Sequence, residues 1–79
     1  MVEVRERIEI DIKKFEDSIS KVQGVKLTER ENEIVELSKM YASDCRSWLE
    51  KGDLYTSFCS IAYAHGLLDS ILKIKELIE

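Results

Sequence analysis

The chain has 79 residues, of which 35% are charged, and this length predicts a single domain over residues 1–79. Its net charge is −4 with no cluster of Lys and Arg, so it lacks the electrostatic footprint of a nucleic-acid-binding protein. The N-terminus is charged from its third residue and has no secretory apolar core, which predicts a cytoplasmic protein. Proline is absent and only three glycines occur, which favours long helices over a β fold.

The first predicted helix runs from about Val2 to Val22. Its apolar residues step by four and three positions and form one seam: Val4, Ile8, Ile12, Phe15, Ile19 and Val22. The charged residues between them are most simply a solvated face, although Ile10 falls off the seam. Gly24 is the predicted C-cap of this helix, within a connection from Gln23 to Leu27.

The second predicted helix spans about Glu29 to Glu50. It begins at a capping-box pattern, in which Thr28 caps the backbone and Glu31 reaches back to the N–H of Thr28. Its predicted seam consists of Ile34, Leu37, Tyr41, Cys45 and Trp48, and its flanking apolar residues are Val35, Met40, Ala42 and Leu49. We expect Trp48 to close the end of the bundle.

The third predicted helix follows Gly52 and Asp53, which are typical of a helix end and of the cap of the next helix. From Leu54 to Leu68 it has no charged residue. One apolar row holds Leu54, Phe58, Ile61, Leu68 and Leu72, and a second row beside it holds Tyr55, Cys59, Ala62 and Gly66. A helix that is apolar over most of its circumference is normally packed on two sides, so this helix should lie in the middle. The run is too short and too interrupted by polar residues for a membrane span.

Gly66 lies in the middle of the third helix, where glycine costs about 1 kcal/mol relative to alanine. We expect the close approach of another backbone to compensate for this cost. A glycine that is merely tolerated is the alternative.

Three helices with two short connections predict an all-α, up-down-up antiparallel three-helix bundle. In the hairpin of the second and third helices, residues whose numbers sum to about 104 should lie level with one another. Cys45 is then level with Cys59, and Tyr41 with Tyr63. Because cytosolic disulfides are uncommon, reduced thiols are favoured over a bridge. Beyond the third helix, Ile74, Leu77 and Ile78 could project past the core and serve self-association.

His65 and Asp69 stand four residues apart on the third helix, close enough to touch. We favour a structural hydrogen bond that fixes this helix to a neighbour over a proton-handling or ligand-holding pair. A metal site of Cys45, Cys59, His65 and Asp69 has no supporting ligand spacing, and we expect no metal and no cofactor. The chain has no phosphate-binding glycine loop and no nucleophile motif, so it is not predicted to be an enzyme.

Three motifs resemble a small archaeal family, domain of unknown function 357. They are Tyr41 with Asp44, the run WLEKGD at 48–53, and the run AYAHGLLD at 62–69. The candidate motif residues are therefore Tyr41, Asp44, Gly52, Asp53, Tyr63, His65, Gly66 and Asp69. The resemblance implies a spectrin-repeat-like bundle in an archaeal cytosolic protein and implies no activity. The arrangement is also similar to helical domains linked to nucleotidyltransferases and RNA cleavage, but the Arg–His pair of those nucleases is missing.

Two functional hypotheses follow. The first is a non-catalytic helical module that binds itself or a protein partner, motivated by apolar residues outside the seams: Ile10, Tyr55, Ile74 and Ile78. The second is a small-ligand or nucleotide-related accessory domain that uses Tyr41, Asp44, Tyr63, His65 and Asp69. The second hypothesis requires those five side chains to converge on one cavity.

Overall fold

The computed structural model describes residues 3–78, which form three helices: α1 (Val4–Ser20), α2 (Glu29–Glu50) and α3 (Leu54–Ile74). α3 packs against both of the other helices, whereas α1 and α2 make few direct contacts with each other. The predicted all-α three-helix bundle is confirmed, and α3 is its central helix.

α1 is shorter than predicted. It ends at Ser20 because the N–H groups of Lys21 and Val22 bond to carbonyls three residues back, which tightens the last turn. The predicted C-cap at Gly24 is therefore wrong, because Lys21 is the C-cap; Gly24, with a φ of 77°, lies in the turn beyond it. Val2, the predicted start, lies outside the described residues.

The capping box at the start of α2 is confirmed. Oγ1 of Thr28 accepts from the N–H of Glu31 at 3.1 Å, and the N–H of Thr28 donates to Oε1 of Glu31 at 2.8 Å. Lys75, which caps the end of α3, places Nζ 2.8 Å from the same Glu31 oxygen. The box therefore also ties the start of α2 to the end of α3.

The turn between α2 and α3 closes as the sequence predicts. Gly52 has a φ of 82°, and the N–H groups of Gly52 and Asp53 donate to the carbonyls of Leu49 and Trp48. This pattern of bonds is a Schellman motif. Asp53 then caps α3, because its carboxylate accepts from both the backbone N–H and the hydroxyl of Thr56. The turn sets the two helices side by side.

The core lies along α3 and is filled from both sides. Its buried apolar residues are Ile8, Ile12, Phe15 and Val22, then Val35, Ala42 and Cys45, and finally Ile61, Ala64, Leu68, Ile71 and Leu72. Ile8, Ile12, Phe15 and Val22 were predicted seam residues, whereas Val4, also assigned to that seam, is exposed.

The predicted seam of α2 is wrong for Leu37 and Trp48, both of which are exposed. The buried face is rotated toward Val35, Ser38, Ala42 and Cys45. Three of these four side chains are small, which lets α2 lie close to α3, so the larger residues are left at the edges. The hydroxyl of Ser38 is buried but donates to the carbonyl of Val35 at 2.6 Å, so its burial leaves no unpaired donor.

Trp48 does not close the bundle as predicted. It stays at the surface, where the ammonium of Lys51 lies 4.8 Å from its ring centroid. Such a cation–π contact adds a modest stabilisation at an exposed site.

The second apolar row of α3 faces solvent, although the sequence predicts packing on that side. Tyr55, Cys59, Ala62 and Gly66 are all exposed. A Cβ built on Gly66 would meet nothing within 4 Å, so the predicted close approach of a neighbouring backbone is wrong. Because α1 and α2 cover only two sides of α3, its third side remains bare.

The C-terminal residues are divided between core and surface. Ile74 is exposed, whereas Ile78 is half-buried and packs against the core. The reversal occurs after α3, where Glu76 has a φ of 57° and Leu77 N–H donates to the carbonyl of Leu72. Within residues 3–78, no helix is long and apolar enough to cross a membrane.

Candidate protein-interaction surface

Tyr41 and Tyr63 are in contact at the edge between α2 and α3, at the same height along the hairpin, as predicted. Their ring centroids are 4.7 Å apart with an interplanar angle of 80°, an edge-to-face contact. Tyr41 is half-buried and Tyr63 is exposed, so the pair forms part of the packing between the two helices and reaches the surface.

His65 lies on the other side of α3, against α1. Its Nε2 is 2.8 Å from the backbone carbonyl oxygen of Asp11, and its ring meets Phe15 edge-on at 5.7 Å. Because a carbonyl can only accept, Nε2 carries the hydrogen of this bond. His65 thus makes a hydrogen bond that ties α3 to a neighbouring helix, and its partner is the backbone of Asp11 rather than the side chain of Asp69. Asp69 is exposed.

The five residues of the small-ligand hypothesis do not line one cavity. His65 and Asp69 line an open groove of about 340 Å³ with Arg7 and Asp11, whereas Tyr41, Asp44 and Tyr63 are not among its lining residues. Arg7 already pairs with Asp11, with Nε 3.2 Å from Oδ1. The convergence that the hypothesis requires is therefore absent from this groove.

The two cysteines are free, and they occupy different environments. Cys45 is buried and Cys59 is exposed. The hydroxyl of Ser57 donates to the carbonyl of Cys45 at 2.8 Å and lies 3.2 Å from its sulfur, which joins α2 to α3 inside the core. Burial raises the pKa of the Cys45 thiol and keeps it protonated.

Ser57 is a residue that sequence reasoning missed. Its number and that of Cys45 sum to 102, close to the value that marks level residues in this hairpin, and that was the available signal. Within residues 3–78, no three His, Cys, Asp or Glu side chains are placed to hold a metal ion.

A second groove runs between α1 and α2, where the two helices stand apart. One cavity in this groove measures about 450 Å³, and Ile12 and Leu49 are among its lining residues. The ion pair between Arg46 Nη2 and Glu16 Oε2, 3.3 Å long, spans the groove. Farther along, Arg5 donates to the carbonyl of Leu49. Acidic and basic side chains alternate along its rim, so its charges do not form a binding site for a ligand of one sign.

An uncharged surface lies on the bare side of α3. We define the outer face of α3 as Tyr55, Phe58, Cys59, Ala62, Tyr63 and Gly66, all of which are exposed. Tyr55 is 81% exposed, Tyr63 52% and Phe58 38%. With aromatic side chains of 150–250 Å² each, these three rings offer roughly 350 Å² to solvent. The small residues between them raise the total to about 500 Å², a patch size that is often functional in monomeric proteins.

A family model matches most of the chain, including all of α2 and α3. It is DUF357, described as a protein of unknown function, and it covers residues 11–77. The chain belongs to the DUF357 family. The family model spans every residue of the outer face of α3. No curated protein matches the chain significantly. The archaeal and cytoplasmic setting stays a prediction.

Proposed function

We propose that this chain is a non-catalytic helical module that associates with a second copy of itself through the outer face of α3. The observation that supports this proposal is the bare third side of the central helix. An uncharged strip with three partly exposed aromatic rings lies there, in a chain of which 35% is charged.

Charge repulsion between two copies is smallest at the outer face of α3. Each chain carries a net charge of −4, so two copies repel one another through most of their surfaces. The six residues of the outer face of α3 carry no charge, and the groove beside them that holds Phe58 and Ala62 carries both signs, from Arg7, Lys14, Asp11 and Asp69. A two-fold contact uses the same patch on both subunits, as most homodimers do.

The available area fits a weak dimer. Covering about 500 Å² on each copy buries about 1,000 Å² in total, which is the lower limit for a specific interface. We therefore expect association in the micromolar range or weaker, driven by Tyr55 and its aromatic neighbours.

Sedimentation equilibrium tests the proposal through the concentration dependence of the mass. The wild-type chain should approach twice its 9.2 kDa at high concentration. Ala62→Glu should stay monomeric, because it places a carboxylate from each copy in the middle of an apolar contact. Ala62 is exposed in the single chain, so this change leaves the fold intact.

Met40→Glu is the matched control, since Met40 is an exposed apolar residue of α2 outside the face. This variant should dimerise like the wild type. A wild-type chain that remains at 9.2 kDa at millimolar concentration, or a dimer that Ala62→Glu does not weaken, would contradict the proposal.

A further inference from the structure

Resting on the proposed self-association, we infer that the two copies of α3 pack antiparallel, with the two-fold axis between Cys59 and Ala62. In this register Tyr55 of each copy lies on Gly66 of the other. Residues whose numbers sum to about 121 then lie level across the interface.

The register follows from the shape of the outer face. Tyr55 and Gly66 are eleven residues apart, which is close to three helical turns, so they project in nearly the same direction. At one end of the face, the Tyr55 ring extends into solvent with 81% exposure. At the other end, Gly66 has no side chain and an added Cβ would meet nothing within 4 Å; we call this open space the hollow at Gly66.

In an antiparallel pair, the exposed Tyr55 ring and the open space at Gly66 meet at both ends of the interface. Each Tyr55 ring fills the hollow at Gly66 of the second copy, and the small side chains of Cys59 and Ala62 let the helices approach in the middle. A parallel pair would instead set Tyr55 against Tyr55 and leave the two hollows facing each other empty. Antiparallel packing also opposes the two helix dipoles favourably.

Cross-linking of cysteines with a short bismaleimide tests the register. All variants carry Cys59→Ser, and the buried Cys45 stays in place. In an equal mixture of Tyr55→Cys and Gly66→Cys chains, the two new thiols should join across the interface. The same heterodimer retains one native pair of Tyr55 and Gly66, so the test does not remove the contact that it examines.

Ser70→Cys is the comparison variant, because Ser70 is exposed and lies farther along the helix. In the antiparallel register its two copies are about 28 Å apart along the axis, too far for the linker, whereas a parallel pair would set them side by side. We expect the yield of cross-linked dimer from the mixture of Tyr55→Cys and Gly66→Cys chains to be at least tenfold higher than the yield from Ser70→Cys chains.

The outcomes separate this inference from the proposed function. A dominant Ser70→Cys product, or a failure of the 55 and 66 thiols to join in chains that sediment as dimers, would overturn the antiparallel register while self-association stands. Chains that sediment as monomers under the same conditions would remove both.

Discussion

At the scale of single residues, two buried or half-buried polar side chains connect the helices. Ser57 bonds to the carbonyl of Cys45 and joins α3 to α2, and His65 bonds to the carbonyl of Asp11 and joins α3 to α1. Each is a single side chain that meets the backbone of a neighbouring helix. A hydrogen bond of this kind contributes about 0.5–1.5 kcal/mol net, and it also fixes the rotation of one helix against the next.

Gly66 gives the residue-scale prediction, because its helical cost is not offset within the single chain. Gly66→Ala should raise the free energy of unfolding by about 1 kcal/mol at concentrations where the chain is monomeric. The same substitution should weaken the dimer, since the new methyl group occupies the hollow that receives Tyr55. Thermal denaturation at low concentration measures the first effect, and sedimentation at high concentration measures the second.

Ala62→Gly is the matched control, since Ala62 is exposed on the same face and the substitution lowers the helix propensity that Gly66→Ala raises. It should lower the stability of the monomer by a similar amount. A Gly66→Ala variant that is less stable than the wild type would show that a neighbouring group does approach Gly66, against the open space seen around it.

At the scale of helices, the ends could be predicted from the sequence far better than the buried faces. The capping box at Thr28, the left-handed glycines and the Asp53 cap depend on groups within a few residues of one another, so local sequence decides them. The face that α2 buries depends on how closely it can approach α3. The small residues Ser38 and Ala42 decide that distance. A prediction based on the spacing of large apolar residues therefore does not identify the buried face of α2.

The same limit explains the outer face of α3. Periodicity shows that Tyr55, Cys59, Ala62 and Gly66 form an apolar row, but it does not show which element covers that row. In the single chain no helix does, because α1 and α2 occupy the other two sides. The polar candidate residues do not converge for a related reason: Tyr63 and His65 are two residues apart in one motif, yet Tyr63 contacts α2 and His65 contacts α1.

The element-scale prediction concerns the contact between the start of α2 and the end of α3. The hydrogen bond from Lys75, followed by that from the Thr28 backbone, lowers the pKa of Glu31 from its usual 4.5. A carboxylate with a lowered pKa stabilises the fold above the unfolded value, and this stabilisation is lost as the pH falls through the folded value. Glu31→Gln should therefore be less stable than the wild type above pH 4.5, with the difference vanishing at lower pH.

Chemical denaturation of both proteins across this pH range measures the effect. Glu29→Gln is the control, because it removes an exposed carboxylate from the same helical turn. It loses the same interaction with the helix dipole as Glu31→Gln, but it keeps the contact with Lys75. A difference between wild type and Glu31→Gln that persists unchanged well below pH 4.5 would show that the charge on Glu31 is not its source.

At the scale of the whole molecule, the chain is a three-helix bundle whose central helix is covered on two sides only. The groove between α1 and α2 is mixed in charge and spanned by the Arg46–Glu16 pair. The bare side of α3 is uncharged and aromatic. A second copy placed there would cover the third side of the central helix, and the interface would consist of the outer face that the family model spans.

The alkylation rate of Cys59, measured as the protein concentration is raised, tests this account most directly. Cys59 lies near the proposed two-fold axis and is exposed in the single chain, while the buried Cys45 serves as the unreactive reference. The account predicts that the Cys59 rate falls as the wild-type concentration rises, and that it stays constant in Ala62→Glu. A wild-type rate that is independent of concentration up to the millimolar range would contradict it.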